Sequence, residues 1–300
     1  MDRAQGAIEY LLIIAAAILV VAIVILAITG ALGGGQDQTT HSNIASNNAF
    51  DSLKETSGNY IFLNNKYYLK SKPIVKNINL VYHFDSLNSS VGDFTFSIIG
   101  GTTQTDDGLF GTRAYEFDGT TNGAIVSDES FSMNTDDGFS ISFWVKGDAY
   151  PGTDHYICNN GIVSSRTGNV YYVKGWSISN CIYDHMNQAV FWLDDGVEVP
   201  YGEQIANLNS NKIIFDGFWH HIVGTIKTPG MARIYVDGGL EKEIISDGEA
   251  FSLDSKLYIG TNQLVGASNS FKGSIDELAI WNRELTGDEV LELHNVALAN

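Results

Sequence analysis

A chain of 300 residues with 44% hydrophobic side chains, 17% charged side chains and four prolines buries a core rather than staying disordered. Its formal charge of −18 is unevenly spread: residues 53–77 hold five lysines against Glu55, whereas residues 78–300 hold 11 basic and 30 acidic side chains. So acidic a region repels phosphate backbones, which excludes nucleic acid as its partner and leaves divalent cations, cationic surfaces and neutral glycans.

In chain order, the first element is the unbroken run of 18 apolar residues from Leu11 to Ile28, about the shortest that crosses a hydrocarbon core as a helix. Glu9 stands just before it, and a carboxylate at that boundary needs a partner because an unpaired charge is costly there. Gly30 and Gly33 to Gly35 then break the helix, since glycine costs about 1 kcal/mol per helical position, and the polar stretch from Gln36 to Asn48 reads as a hinge. Residues 50–77 are rich in lysine and tyrosine, with Tyr60–Leu63 and Lys66–Leu69 as candidate short strands.

From Asn79 the pattern changes to short β-branched and aromatic runs between glycine-rich turns, the signal of an all-β sandwich. Seven Asp-Gly pairs, from Asp107-Gly108 to Asp247-Gly248, offer the positive φ angles of tight hairpins. Runs such as Phe139–Val145 and Ala232–Val236 alternate with a period of two, so one face of each belongs in a core. Near the end, Thr286 and Glu289 have the spacing of a capping box that starts a helix. The neighbours His220 and His221 point to opposite faces of a strand and cannot easily share an ion. The two cysteines, Cys158 and Cys181, are expected to form one disulfide in an extracellular domain. It would close a loop of about two dozen residues, worth roughly 3 kcal/mol.

The stretch Arg3-Ala4-Gln5-Gly6-Ala7-Ile8-Glu9, followed by the apolar run, resembles the class III signal sequence of archaeal type IV pilins. The resemblance implies cleavage by a prepilin peptidase between Ala4 and Gln5, which makes Glu9 the fifth mature residue. Glu9 would then register neighbouring pilin subunits while the apolar helices, held in the membrane before assembly, pack into a filament core. Ala7 stands where the family usually has serine.

Residues 80–293 resemble the laminin-G-like, concanavalin A-type jelly roll. The matching pieces run in the family's order from Leu80–Asp85 and Ala114–Gly119 through Phe139–Lys146, Phe218–Ile226, Arg233–Gly238 and Lys256–Asn262 to Phe271–Val290. Members of the fold often hold a structural calcium ion, and the resemblance puts Asp85, Asp118 and Asp276 forward as its ligands. Glucanases share the fold, but their strand-borne Glu-x-Asp-x-x-Glu pattern is absent, as is a Gly-x-Ser-x-Gly elbow, so no enzyme is expected. The segment 147–215 departs most from the family core. Within it Tyr156, Tyr183 and Trp192 are candidates for stacking on sugar rings, and Asn88 heads the sole glycosylation sequon.

The expected organisation is a leader at 1–4, an apolar pilin-type α-helix at 5–32, a hinge and linker at 33–78 and a mainly β jelly roll at 79–300. The expected protein is a surface filament subunit or membrane-anchored protein whose extracellular head binds glycans or surface proteins. Two alternatives fit the same residues: a filament subunit without a ligand, and a membrane-tethered polysaccharide-binding protein.

Overall fold

Alternation builds the sandwich strand by strand. In Phe139–Lys146 the side chains of Phe139, Ile141, Phe143 and Val145 all enter one core, as a period of two requires. A computed structural model describes residues 60–64, 66–110, 113–119, 123–149, 160–169, 172–181, 187–196, 206–246, 250–261 and 271–298. The expected leader and apolar helix, with Ala4, Gln5 and Glu9, lie outside the described residues, as do Tyr156, Cys158 and Tyr183 and the side chain of Cys181. The chain divides into units at Met1–Tyr60 and Ile61–Asn300, and the second is the one described. Among the described residues no helix is long and apolar enough to cross a membrane.

Two antiparallel sheets carry the fold. The seven-stranded sheet runs, edge to edge, β12 (Ala206–Ile213), β11 (Gln188–Asp195), β10 (Tyr172–Cys181), β9 (Asn160–Asn169), β16 (Ser252–Ile259), β7 (Ala124–Asn134) and β4 (Phe96–Ile99). The eight-stranded sheet runs β15 (Gly239–Ser246), β14 (Gly230–Val236), β13 (Trp219–Ile226), β8 (Phe139–Lys146), β17 (Lys272–Trp281), β6 (Ala114–Asp118) and β5 (Thr102–Thr105). Its eighth strand, β3 (Ile78–Tyr82), pairs with the C-terminal half of β17, beside the part that β6 occupies. The main core between the sheets contains Trp176, Phe191 and Phe131 from the first and Phe139, Phe143 and Phe117 from the second, all essentially inaccessible.

Turn chemistry follows the Asp-Gly pairs where two strands meet tightly. Between β14 and β15, Asp237 and Gly238 take φ of 49° and 77°, the doubly positive pair of a tight hairpin. Asp107-Gly108 is the exception among described pairs: Gly108 does not adopt positive φ, and its loop crosses the outer face of the eight-stranded sheet instead, where the Leu109 N–H reaches Asp276.

The eight-stranded sheet is buried on its inner side and over much of its outer face. On its outer face a second apolar layer joins Val81, Val223, Tyr235, Ala279 and Trp281 to a hairpin, a short 3-10 turn and a helix. The hairpin consists of β1 (Tyr60–Leu63) and β2 (Lys66–Leu69), the turn of Pro73–Val75 and the helix, α1, of Gly287–Leu298. Residues 61–77, the end of the expected linker, thus pack on this sheet. The helix begins as its sequence predicts: the Thr286 N–H donates to Glu289 Oε2 (2.9 Å) and the Glu289 N–H donates to Thr286 Oγ1 (3.3 Å). Arg283 straps the layer together. Its guanidinium donates to the Lys76 and Pro73 carbonyls (2.8 and 2.6 Å) and to both carboxylate oxygens of Glu289 (2.8 Å each). Beside it the Trp281 indole N–H donates to the Ile74 carbonyl at 2.7 Å.

Charge-assisted, two-pronged bonds of this kind are the strong ones. Arg283→Ala is therefore expected to destabilise the fold by about 2–3 kcal/mol, read as a lower urea midpoint, with Arg283→Lys recovering only part. An unchanged midpoint would show that the strap adds nothing to stability.

Candidate functional site

Three places on the sandwich gather chemistry, and each depends on which face a strand residue occupies. The first is the outer face of the seven-stranded sheet around Trp192. On β11, Ala189, Phe191 and Leu193 enter the core, so Val190, Trp192 and Asp194 face outward. Cross-strand register sets Ser177 of β10 on one side of Trp192 and Asn207 of β12 on the other, with Ser179 and Asn209 flanking Val190. Toward β10 this face is closed, since Ser177, Ser179 and Val190 are buried. Toward β12 it opens: Asn207 is exposed, and Trp192 and Asn209 are half-buried.

Arg166 of β9 completes this site. Its guanidinium lies 5.1 Å from the Trp192 ring centroid, a cation–π distance, yet only 3% of the residue is accessible. Burial pulls its pKa down to about 10, with the Asp194 charge acting the other way. The result is an indole held in orientation by a buried cation and bordered by amide, hydroxyl and carboxylate groups. Such a surface offers an apolar ring face together with donors and acceptors, the combination that a polyhydroxylated ligand uses. Nothing in the local sequence around Arg166 marks it, because its partner is 26 residues away on a strand that is not its neighbour.

The second place is a β-bulge in β17. Opposite β8, the register slips between Asp276 and Ala279, and Glu277 takes φ of 51°. The bulge turns two consecutive acidic side chains inward under the loop at 106–110, where Asp276 is 0% and Glu277 2% accessible. Asp276 accepts the N–H groups of Leu109 (3.0 Å) and Glu277 (2.9 Å). His83, just beyond β3, makes a 2.8 Å bond through Nδ1 to Glu277 Oε2. Burial, with the Glu277 charge added, pushes the Asp276 carboxyl up to about 8. Burial lowers the His83 pKa, but Glu277 and the more distant Asp85 and Asp276 outweigh it and raise it.

Of the three expected calcium ligands, this arrangement brings Asp85 and Asp276 into one electrostatic neighbourhood. Asp85 Oδ1 accepts the Arg113 N–H at 3.3 Å. Asp118 lies elsewhere: it pairs with Lys272, four residues from Asp276 along β17 and roughly 13 Å away, with its carboxylate against Gly101. Two carboxylates are fewer than calcium's six to eight oxygens, and among the described residues no three His, Cys, Asp or Glu side chains are arranged to hold a metal. Buried as they are, Asp276 and Glu277 also cannot flank a substrate bond.

The third place is the histidine pair on β13. His220 lies between Asp237 (2.8 Å) and Asp216 (3.1 Å). His221 faces the other way, fully buried, with its ring stacked on Trp144 and His294 at 5.0 and 5.9 Å and its Nε2 2.7 Å from Ser142 Oγ. The two imidazoles point to opposite faces of the strand and have different hydrogen-bond partners. Asn88 is exposed on the loop after β3, with its backbone bridged to Thr95.

The bulge sets a pH dependence. In the folded chain Asp276 keeps a proton that the unfolded chain releases near 3.8, and His83 is likewise favoured in its protonated form. Both contributions are lost as pH rises. Burial of His221, which lowers its pKa to about 3, acts in the opposite sense up to pH 6.5. In the presence of a chelator, Asp276→Asn should therefore gain stability relative to the wild type as pH rises from 3.8 to about 8; the check is a series of urea midpoints across that window for both chains. A difference between them that does not change with pH would place the origin of the pH dependence elsewhere.

Comparison with known proteins agrees with this architecture. Neuronal pentraxin-1 of Rattus norvegicus is 27% identical over 165 residues, covering 52% of this chain and 33% of the pentraxin. Botulinum neurotoxin type X of Clostridium botulinum is 26% identical over 230 residues, covering 72% of this chain and 16% of the toxin. The chain thus spans a third or less of these relatives. Among solved structures, domain 4 of AbnA, an extracellular arabinanase from Geobacillus stearothermophilus solved with arabinotriose, superimposes with a TM-score of 0.52 at 18% identity, over 73% of this chain and 98% of that domain. The binding domain of botulinum neurotoxin DC, solved in complex with SialylT, gives a TM-score of 0.54 at 17% identity, over 75% and 52% of the two chains. Residues 118–291, more than half of the sequence, match the family described as the concanavalin A-like lectin/glucanases superfamily. Two antiparallel sheets in face-to-face packing and a family match that runs from the end of β6 into α1 agree: this chain belongs to the concanavalin A-like lectin/glucanase superfamily.

Proposed function

We propose that this protein is a non-catalytic surface recognition protein whose sandwich binds glycans through the open side of the seven-stranded sheet. The observation that carries the reading is Trp192, half-buried on an outward face, oriented by Arg166 and bordered by Asn207, Asn209 and Asp194. Its support includes the relatives, since the arabinanase domain was solved with arabinotriose and the toxin domain with SialylT. Between those two ligand types, the net −19 of residues 78–300 favours the neutral one.

The finer reading is a filament-borne adhesin. It is supported by the sequence alone: Gln5 and Glu9 stand in the register of an archaeal pilin before the run Leu11–Ile28. In this proposal a prepilin peptidase cuts after Ala4, the helix passes from the membrane into a filament of pilin subunits, and the sandwich is displayed outside the cell. Structural calcium at Asp276, with Asp85 beside it, belongs to the same proposal. Repeating the urea series with calcium reads it, as a rise in midpoint that Asp276→Asn abolishes.

On an array of short oligosaccharides, the full-length chain in detergent should bind neutral members such as arabinotriose. Asn207→Ala, a change at an exposed position, should keep the melting temperature and lose about ten-fold in affinity; a folded chain with no hits would sink the recognition reading. For the filament, mass spectrometry of surface material should find a chain beginning at Gln5, and Glu9→Ala should remove the protein from filaments seen by electron microscopy. An uncut chain dispersed in the membrane would favour a tethered receptor.

A further inference from the structure

The outer face of the eight-stranded sheet is not covered along its whole length. Hairpin, turn and helix close over the part that holds Val223 and Trp281, and the Leu109 loop roofs Asp276. One row further along the strands, register aligns Trp219 with Lys146, Lys146 with Ser274, Ser274 with Glu116 and Glu116 with Thr103. Paired residues in a sheet point to the same side, so these five side chains form one line across β13, β8, β17, β6 and β5. Four inter-strand steps make it about 19 Å long. Every member is half-buried or exposed.

A cavity of about 170 Å³ opens on this line, with Lys146, Ser274 and Glu116 in its wall. Drug-sized ligands occupy pockets of about 300 Å³ or more, so this one suits a single ring with its neighbours lying along the row. The Lys146 ammonium lies 2.8 Å from Asp107 and 5.9 Å from the Trp219 ring centroid. Three carboxylates, of Asp107, Glu116 and Asp148, face two ammonium groups, of Lys146 and Lys272. That near balance selects neither an anion nor a strong cation, and the acidic domain around it opposes anions further. What remains is a neutral ligand with many hydroxyls, which can donate to Glu116, accept from Lys146 and Ser274, and lay an apolar ring face on Trp219.

We propose that this row is a second binding site for a neutral oligosaccharide, on the side of the sandwich opposite Trp192, so that one domain holds two glycan chains at once. The inference rests on the reading of the sandwich as a glycan-binding domain. Its own observations are the register line and the cavity, which share no residue with the Trp192 face.

The experiment is isothermal titration of the full-length chain in detergent with the strongest-binding neutral oligosaccharide from the array, arabinotriose included among the probes. Two ligands should bind per wild-type chain. Ser274→Trp, which fills the cavity, and Glu116→Ala, at an exposed position that leaves packing intact, should each weaken one of the two by about ten-fold or more. Asn207→Ala should weaken the other by about ten-fold. If Ser274→Trp and Glu116→Ala leave stoichiometry and affinity unchanged while Asn207→Ala weakens all of the binding, the second site is overturned and the Trp192 reading stands. If binding survives Asn207→Ala and is lost in Glu116→Ala, the Trp192 reading fails and the second site stands. A folded chain that binds no neutral member of the array overturns both.

Discussion

The structure depends on the pairing of one strand, β17, along both of its edges. On one side it meets β8, and on the other it meets β6 along its first half and β3 along its second. Outside its bulge, this central strand is hydrogen-bonded along both edges, and replacing its partners would strand buried donors and acceptors. Because β3 comes from the start of the domain and β8 from its middle, the contacts that β17 makes close the fold. The residues just after it, Asn282 and Arg283, continue that work by bonding to the carbonyls of Asn77, Lys76 and Pro73.

The slip in that ladder sets the electrostatics of the outer layer. By holding two residues of β17 against one of β8, the bulge places Asp276 and Glu277 together beneath a loop, where water is excluded and like charges cannot both be comfortable. His83 answers one of them directly, and two backbone N–H groups answer the other. Bulges that re-aim side chains in this way recur beside functional sites. Here the consequence is a buried carboxyl whose pKa burial raises, one row along β17 from the line of Trp219, Lys146 and Ser274.

The two sheets divide the labour unequally. The eight-stranded sheet is covered over much of its outer face by the hairpin, the 3-10 turn and α1, so Ser140, Ser142 and Trp144 are as buried as the core residues that alternate with them. Its uncovered end and the β12 side of the seven-stranded sheet are where aromatic rings meet polar groups at the surface, at Trp219 and Trp192 respectively. In an acidic domain, the few basic residues at these places matter: Lys146 and Arg166 each stand beside an indole ring.

The all-β class, the strand runs, the tight turn at Asp237-Gly238 and the capped start of α1 were legible in the sequence, because each depends on residues a few positions apart. The inward alternation of Phe139 to Val145 was equally plain. That Ser140, Ser142 and Trp144 are buried as well was not, since their cover comes from residues 61–77 and from a helix more than a hundred positions later. The same distance hid the candidate sites. Trp192 could be picked out as an aromatic in a divergent segment, but Arg166 behind it, the union of His83 with Glu277 across 194 positions and the separation of Asp118 from Asp276 follow from strand order and register. Local periodicity and turn chemistry therefore determined what the elements are. Only the tertiary structure decided which side chains meet, because register across a sheet is a long-range property that no short stretch of sequence contains.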